Sequence, residues 1–257
     1  MMRTLDVGGA TIAYSDQGEG DAVVLVHGFA ASVAENWERS GWITMLVRAK
    51  RRVVALDLRG HGQSAKPHDP AAYSFNLFAN DVVAVVEHLQ LKKPDLIGFS
   101  LGARVVLQCL LAKPDKFLLG VLCGTGELLL NPKDDRDPEA FAKAMEAPNA
   151  DGIGDDMARR FRLFAEGQGQ DLAALAAVSR GLAAHPRVWT AAELGTIKHE
   201  TLVVAGSGDD LAGAPEPLAH VFPNAKAVRV PGCGHMDCLI QPMFKGEVMD
   251  FLAGIPS

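Results

Sequence analysis

The chain has 257 residues, 48% of them hydrophobic and 22% charged, the profile of one soluble domain able to bury a real core and not of a disordered or fibrous chain. Its 25 basic and 31 acidic residues are spread along the sequence and leave a net charge of −6; with no basic stripe to neutralise phosphates, nucleic acid is not an expected partner. No apolar run approaches the roughly 20 residues that span a bilayer, the stretch from Met1 to Ala13 lacks the apolar core of a secretory leader, and no Asn-x-Ser/Thr acceptor occurs, so the expected setting is cytoplasmic and away from membranes.

The opening predicts an antiparallel pair, Thr4 to Val7 and Thr11 to Ser15, turned at Gly8-Gly9. Ala22 to Val26 is then a short apolar run ending in His27-Gly28, Asn36 to Lys50 is helix-like, and Arg52 to Leu58 is a second apolar run. Runs of this kind, alternating with helices, indicate strands buried on both faces of a parallel sheet. Between Phe75 and Leu89, residues Phe78, Val82, Val85, Val86 and Leu89 make one helical stripe to lie on that sheet. Strand Pro94 to Gly98, helix Leu101 to Lys113 and strand Phe117 to Cys123 continue the alternation, and the order predicts a doubly wound α/β sheet. From about Glu127 to His199 the strand signal disappears; the segment is rich in Ala and Leu with breaks such as Pro148, Gly152 and Pro186, which predicts a small helical insertion. Strand Thr201 to Ala205, a helix near Pro217 to Phe222, strand Ala225 to Val230 and an amphipathic helix from Phe244 to Leu252 complete the expected domain.

The strongest chemical signal is Gly98-Phe99-Ser100-Leu101-Gly102, a G-x-S-x-G sequence between an apolar strand and a helix. A serine on so tight a strand-to-helix turn presents its hydroxyl outward, and the turn demands flanking residues without bulk. A serine hydroxyl needs a base to take its proton. Among eight histidines, His235 in Gly232-Cys233-Gly234-His235 follows a strand at the carboxyl end of the sheet, where sites of open α/β sheets are built. His27 and His61 sit at similar strand ends but inside glycine turns, and are read as loop-fixing. The base in turn needs an acid to hold its tautomer. The loop Gly206-Ser207-Gly208-Asp209-Asp210 offers two; Asp209 is the first choice, Asp210 the second, and Glu127 a distant third. Two backbone N–H groups should cradle the carbonyl oxygen as it becomes negative: that of Leu101, at a helix start, and that of Phe29 in His27-Gly28-Phe29-Ala30. Cys109 and Cys123, like Cys233 and Cys238, form no close C-x-x-C pair and are read as free thiols, and Cys233, His235 and Cys238 lack a second ligand pair to complete a zinc tetrahedron. No metal and no cofactor are expected.

With those residues in view, the sequence resembles the α/β-hydrolase superfamily over nearly its whole length. The likeness is carried by the nucleophile turn, by His27-Gly28-Phe29, by Asp57-Leu58-Arg59-Gly60-His61-Gly62-Gln63-Ser64, and by the chain order Ser100, Asp209, His235. The resemblance implies a mostly parallel α/β sheet formed by residues 1–126 and 200–257, with residues 127–199 as a small helical cap over the active site. It favours Asp209 as the acid, since in the family that residue commonly stands three positions after a strand-ending glycine, here Gly206. Dehalogenases and epoxide hydrolases of this fold use an aspartate where Ser100 stands, the latter with cap tyrosines, whereas Tyr14 and Tyr73 are the only tyrosines here and both lie outside the insertion. Proline iminopeptidases typically carry tryptophan after the nucleophile, in place of Leu101. The implied activity is that of a carboxylesterase-like serine hydrolase acting on a small-molecule ester. A ligand sensor of the same fold, a lactonase, a carbon-carbon bond hydrolase and a haloperoxidase-like enzyme are the alternatives.

Overall fold

A computed structural model of the chain describes residues 1–131, 137 and 139–255. The described elements, in order, are β1 (Arg3–Val7), β2 (Ala10–Gln17), β3 (Ala22–Val26), α1 (Trp42–Arg48), β4 (Arg52–Leu56), α2 (Phe75–His88), β5 (Asp95–Phe99), α3 (Leu101–Ala112) and β6 (Leu119–Cys123). They continue with α4 (Ala140–Glu146), α5 (Asp156–Gly167), α6 (Leu172–Ala184), α7 (Ala191–Leu194), β7 (Glu200–Gly206), α8 (Pro215–Ala219), β8 (Ala225–Val230) and α9 (Pro242–Leu252). Eight strands form one sheet in the order β1-β2-β4-β3-β5-β6-β7-β8. The pairs β1·β2 and β2·β4 are antiparallel and the remaining pairs parallel. This is the α/β-hydrolase fold.

The short apolar runs work as strands because both of their faces are covered. In β3, Val24 and Val26 pack into one apolar layer with Phe78, Val82 and Val106 from α2 and α3. The alternate residues Val23 and Leu25 pack into the opposite layer with Trp42, Leu46, Phe244 and Val248 from α1 and α9. Strand β4 divides in the same way, Val54 and Leu56 to one side and Val53 and Ala55 to the other, as a period of two requires.

The expected helix from Asn36 to Lys50 is interrupted. A helical turn at Ala34–Glu38 ends before Gly41, whose φ of 83° is left-handed, and α1 restarts from there; a chain reversal at Ser40-Gly41 outweighs the helical pattern on either side. Helix α8 starts at Pro215, two residues ahead of the expected Pro217, because proline suits the first turn of a helix. Proline has the same effect at Pro242, which starts α9 ahead of the expected Phe244.

Helices α4 to α7 are the insertion between β6 and β7. Asp155 and Asp171 cap α5 and α6 through side-chain oxygens that accept the N–H groups of Ala158 and Ala174, each cap contributing about 1 kcal/mol. The insertion has its own small apolar cluster, in which Ala142, Met145, Phe161 and Leu175 surround Ala30 of the sheet's loop layer. A bidentate pair between the Arg59 guanidinium and Asp81 of α2, at 2.7 and 2.6 Å, is buried beneath the loop that follows β4.

The topology places the site. Strand β3 pairs with β4 on one side and β5 on the other, so successive crossovers leave it in opposite directions and a crevice opens above its carboxyl end. The loops after β3 and β5 flank that crevice, and those after β7 and β8 run beside each other farther along the same edge.

Candidate active site

Strand β5 enters the helix α3 through Ser100, whose backbone stands at φ 54° and ψ −111°. A side-chain-bearing residue in that region is strained, and the surroundings hold it there. The Ser100 N–H donates to the Cys123 carbonyl at 2.8 Å, and the Ser100 carbonyl accepts from Ala103 at 3.0 Å. A Cβ on Gly98 would lie 2.3 Å from the Gly102 carbonyl oxygen, and one on Gly102 would lie 2.0 Å from that of Val26. The two glycines are therefore steric requirements of a turn in which strand and helix nearly touch.

His235 sits in the loop after β8, buried to 7% exposure, and its Nε2 lies 2.9 Å from the Ser100 Oγ. Its Nδ1 lies 3.0 and 2.9 Å from the two carboxylate oxygens of Asp209. Asp209 comes from the loop after β7, and its Oδ1 also accepts the N–H groups of Leu211 at 3.0 Å and Ala212 at 2.9 Å. The two loops are stitched together: the Gly208 N–H donates to the Cys233 carbonyl, and Ser207 N–H to that of Val230. The Phe99 ring lies over the imidazole with centroids 5.0 Å apart. Ser100, His235 and Asp209 thus form one continuous hydrogen-bonded line. Asp210 is exposed, and the carboxylate of Glu127 is turned to the Ala214 N–H at 3.2 Å; neither is part of that line.

The loop after β3 carries Phe29 and is pinned from several directions. Gly28 N–H donates to Asn36 Oδ1 at 2.9 Å, and Val33 N–H to Asp57 Oδ1 at 2.7 Å. Phe29 and Leu101 both border the cavity at Ser100. The N–H of Leu101 belongs to the first turn of α3, where amides lack partners within the helix.

His27 and His61 lie beneath this loop. Leu58 N–H donates to His27 Nε2 at 2.9 Å, so the proton of His27 is on Nδ1, which donates to the Gly28 carbonyl at 2.7 Å. His61 donates from Nδ1 to the Arg59 carbonyl at 3.1 Å and leaves its Nε2 buried, without a partner among the described residues. Burial, reinforced by neighbouring His27, pulls the His61 pKa down to about 3; burial also lowers that of His27, against the opposing pull of Asp57. Both rings are neutral in the folded chain. The unfolded chain takes up these protons near the ordinary histidine value of about 6.5, so between there and about 3 it binds more protons than the native state. Stability is therefore fully present above the unfolded value and falls as the pH falls through that window. The urea midpoint is expected to be lower at mildly acidic than at neutral pH, and His61→Gln is expected to flatten that difference; an equal pH dependence in the variant would show that His61 does not contribute.

A cleft runs to both sides of Ser100. The larger lobe, about 210 Å³, is walled by Leu101, Leu129, Phe141, Leu182 and Leu211, and the smaller, about 100 Å³, by Gly28, Asn36, Met236, Leu239 and Ile240. Ser100, His235, Phe29 and Phe161 border both. Phe29, Phe141 and Phe161 meet edge to face or tilted with centroids 5.2 to 5.9 Å apart, so rings from the insertion and the loop after β3 meet in the cavity that Ser100 borders.

Asn36, Asp57 and Gln170 hold the loops of the site and were not singled out as functional from sequence. Asp57 offered a signal, standing at the head of the Asp57 to Ser64 segment; Asn36 and Gln170 offered none. Cys233 and Cys238 donate to the carbonyls of Val230 and His235, and among the described residues no group of His, Cys, Asp or Glu gathers to hold a metal. No helix among them is long and apolar enough to cross a membrane.

Comparison with known proteins adds three findings. Residues 23–243 match the model of the alpha/beta hydrolase family. An uncharacterised hydrolase of Bacillus subtilis, YugF, is 35% identical over 130 residues, 49% of this chain and 46% of that protein, and a fluoroacetate dehalogenase of a Burkholderia species is 35% identical over 119 residues, 45% and 38% of the two chains. This chain spans less than half the length of either relative. A thermophilic esterase from Thermogutta terrifontis superposes over 100% of both chains with a TM-score of 0.79 at 22% identity, which is a likeness of fold.

Proposed function

The chain belongs to the alpha/beta hydrolase family, and from that premise we propose that it is a serine hydrolase cleaving small-molecule carboxylic esters through an acyl-enzyme on Ser100. The observation that carries this reading is the unbroken line from Asp209 through His235 to the Ser100 hydroxyl, which ends on a strained turn beside an apolar cleft.

In this reading the Asp209 carboxylate accepts the Nδ1–H of His235 and so leaves the Nε2 lone pair facing Ser100. As the Ser100 oxygen attacks the ester carbonyl carbon, its proton passes to Nε2. The carbonyl oxygen becomes an oxyanion between the N–H groups of Phe29 and Leu101, the two residues assigned here as its donors because both border the cavity at Ser100. Collapse of that intermediate breaks the bond to the alcohol oxygen, which takes the proton from Nε2 and leaves as alcohol. A water then repeats the cycle: it gives a proton to Nε2, its oxygen attacks the acyl carbon, and Ser100 recovers the proton as the carboxylic acid is released.

The larger lobe, walled mainly by leucine and phenylalanine, suits an apolar acyl group. The smaller lobe, formed in part by the residues that follow His235, suits the departing alcohol. The insertion acts as the cap, with Phe141, Phe161 and Leu182 of α4 to α6 over the larger lobe and Phe161 and Phe164 of α5 over the smaller. A panel of p-nitrophenyl esters of increasing acyl length, run beside a lactone and a peptide, tests this. Catalytic efficiency is expected to rise from acetyl toward medium chains, by at most about fourfold for each methylene buried at ~0.8 kcal/mol, and then to fall once the lobe is filled. Faster turnover of the lactone, or of the peptide, than of every ester would overturn the substrate class.

A further inference from the structure

We propose that Gln170 is a positioning residue for the loop that carries Phe29, and that through it the seating of the helical insertion governs catalysis at Ser100; this rests on the ester-hydrolase reading. The loop after β3 closes on itself through one long backbone bond, from the Ala31 N–H to the Gly28 carbonyl at 3.3 Å, and its other restraints come largely from outside. Ala30 stands at φ 60°, a left-handed conformation that a residue with a Cβ keeps only when its surroundings impose it. From the sheet side the restraints are Asn36 on the Gly28 N–H and Asp57 on the Val33 N–H. From the insertion, the Gln170 Nε2 donates to the Ala31 carbonyl at 3.1 Å, while its Oε1 accepts the Gly62 N–H at 3.1 Å.

Asp57 binds the Gln63 N–H with its second oxygen at 2.8 Å. The carboxylate of Asp57, from the sheet, and the carboxamide of Gln170, from the insertion, therefore tie together the same two loops, those after β3 and β4. Gln170 is itself fixed. Its N–H donates to the Ala165 carbonyl in α5 at 3.0 Å, and the flanking residues Gln168 and Asp171 contact Arg39 and His68 of the core at 2.7 and 3.0 Å. Ala30 packs into the insertion's apolar cluster beside these contacts. Phe29 lies between the two residues so restrained, Gly28 and Ala31, and a shift of the Ala31 peptide moves the Phe29 N–H away from the developing oxyanion.

The test measures kcat and KM of Gln170→Ala and Gln170→Glu on an acetyl and a hexanoyl ester, the rate of fluorophosphonate labelling, and the urea midpoint. Displacing a preorganised donor lowers the chemical step, so kcat and the labelling rate are expected to fall roughly ten- to a hundredfold, equally for both esters, with KM little changed. Gln170→Glu keeps an acceptor for Gly62 but sets a carboxylate oxygen against the Ala31 carbonyl, and is expected to be no better than the alanine variant. A loss confined to KM or to the hexanoyl ester, or unaltered rates in both folded variants, would overturn the proposal and leave Gln170 a tie between loops with no part in catalysis. Labelling of the native chain that persists in Ser100→Ala would instead overturn the hydrolase reading, and should the native chain cleave neither ester, the labelling rates alone decide.

Discussion

Ser100→Ala is expected to lower ester hydrolysis by about 10⁴- to 10⁶-fold, the range found when one member of such a catalytic group is removed. The loss is this large because the two remaining members have nothing to activate: His235 keeps its bond to Asp209, but no nucleophile stands at its Nε2. Folding should survive the change. The variant loses one hydrogen bond, from Ser100 to His235, a net contribution of about 1 kcal/mol, and alanine meets the same backbone strain at φ 54° that serine already bears. Steady-state rates on the preferred ester, beside urea midpoints for both proteins, check this. A residual rate within tenfold of the native one, from a folded variant, would remove Ser100 from the mechanism.

Asp209→Asn should be nearly as damaging, at about 10³- to 10⁴-fold, whereas Asp210→Asn should change little. The cause is a tautomer. Oδ1 of Asp209 accepts two backbone N–H groups, from Leu211 and Ala212, and in the asparagine variant the amide oxygen must keep that place. The amide NH₂ then faces the Nδ1 of His235, which can only accept from it, so the ring proton moves to Nε2 and points at the Ser100 oxygen. The base arrives already protonated at the wrong nitrogen. Exposed Asp210 has no such consequence. Measuring kcat/KM for the two variants side by side decides between them, and a greater loss in Asp210→Asn, with both folded, would move the acid by one residue.

What sequence alone conveys about this chain is what local patterns can carry. The parallel strands are legible because runs such as Ala22 to Val26 are too apolar to have a wet face. The turn at Ser100 is legible because Gly98 is forced by a contact four residues away, with Gly102, and the two glycines frame the serine in one short motif, although what forces Gly102 is the distant carbonyl of Val26. His235 and Asp209 are legible because each follows a recognisable strand. Asp57 is legible in part, at the head of a recognisable segment, but Asn36 and Gln170 are not, because their partners lie 8 and 139 residues off and nothing near a glutamine in a helix-to-helix link announces which carbonyl it will meet. The break at Gly41 is missed for the opposite reason: a strong helical pattern on either side conceals one left-handed residue.

The insertion encloses its own apolar cluster, centred on Phe161 and Leu175 and touching the sheet's loops at Ala30, and every reacting atom in the proposed chemistry belongs to residues outside it. Heritable change can therefore alter the walls of the cleft without touching the line from Asp209 to Ser100, the contact at Gln170 excepted. Drift in α4 to α6, which supply Phe141, Phe161 and Leu182 to the cleft, reshapes its walls, while Ser100, His235 and Asp209 stand on loops of the sheet. A foreign insertion grafted between β6 and β7 would have to cover the sheet core where Val178, Trp189 and Leu194 pack and return a carboxamide to where Gln170 grips Ala31 and Gly62.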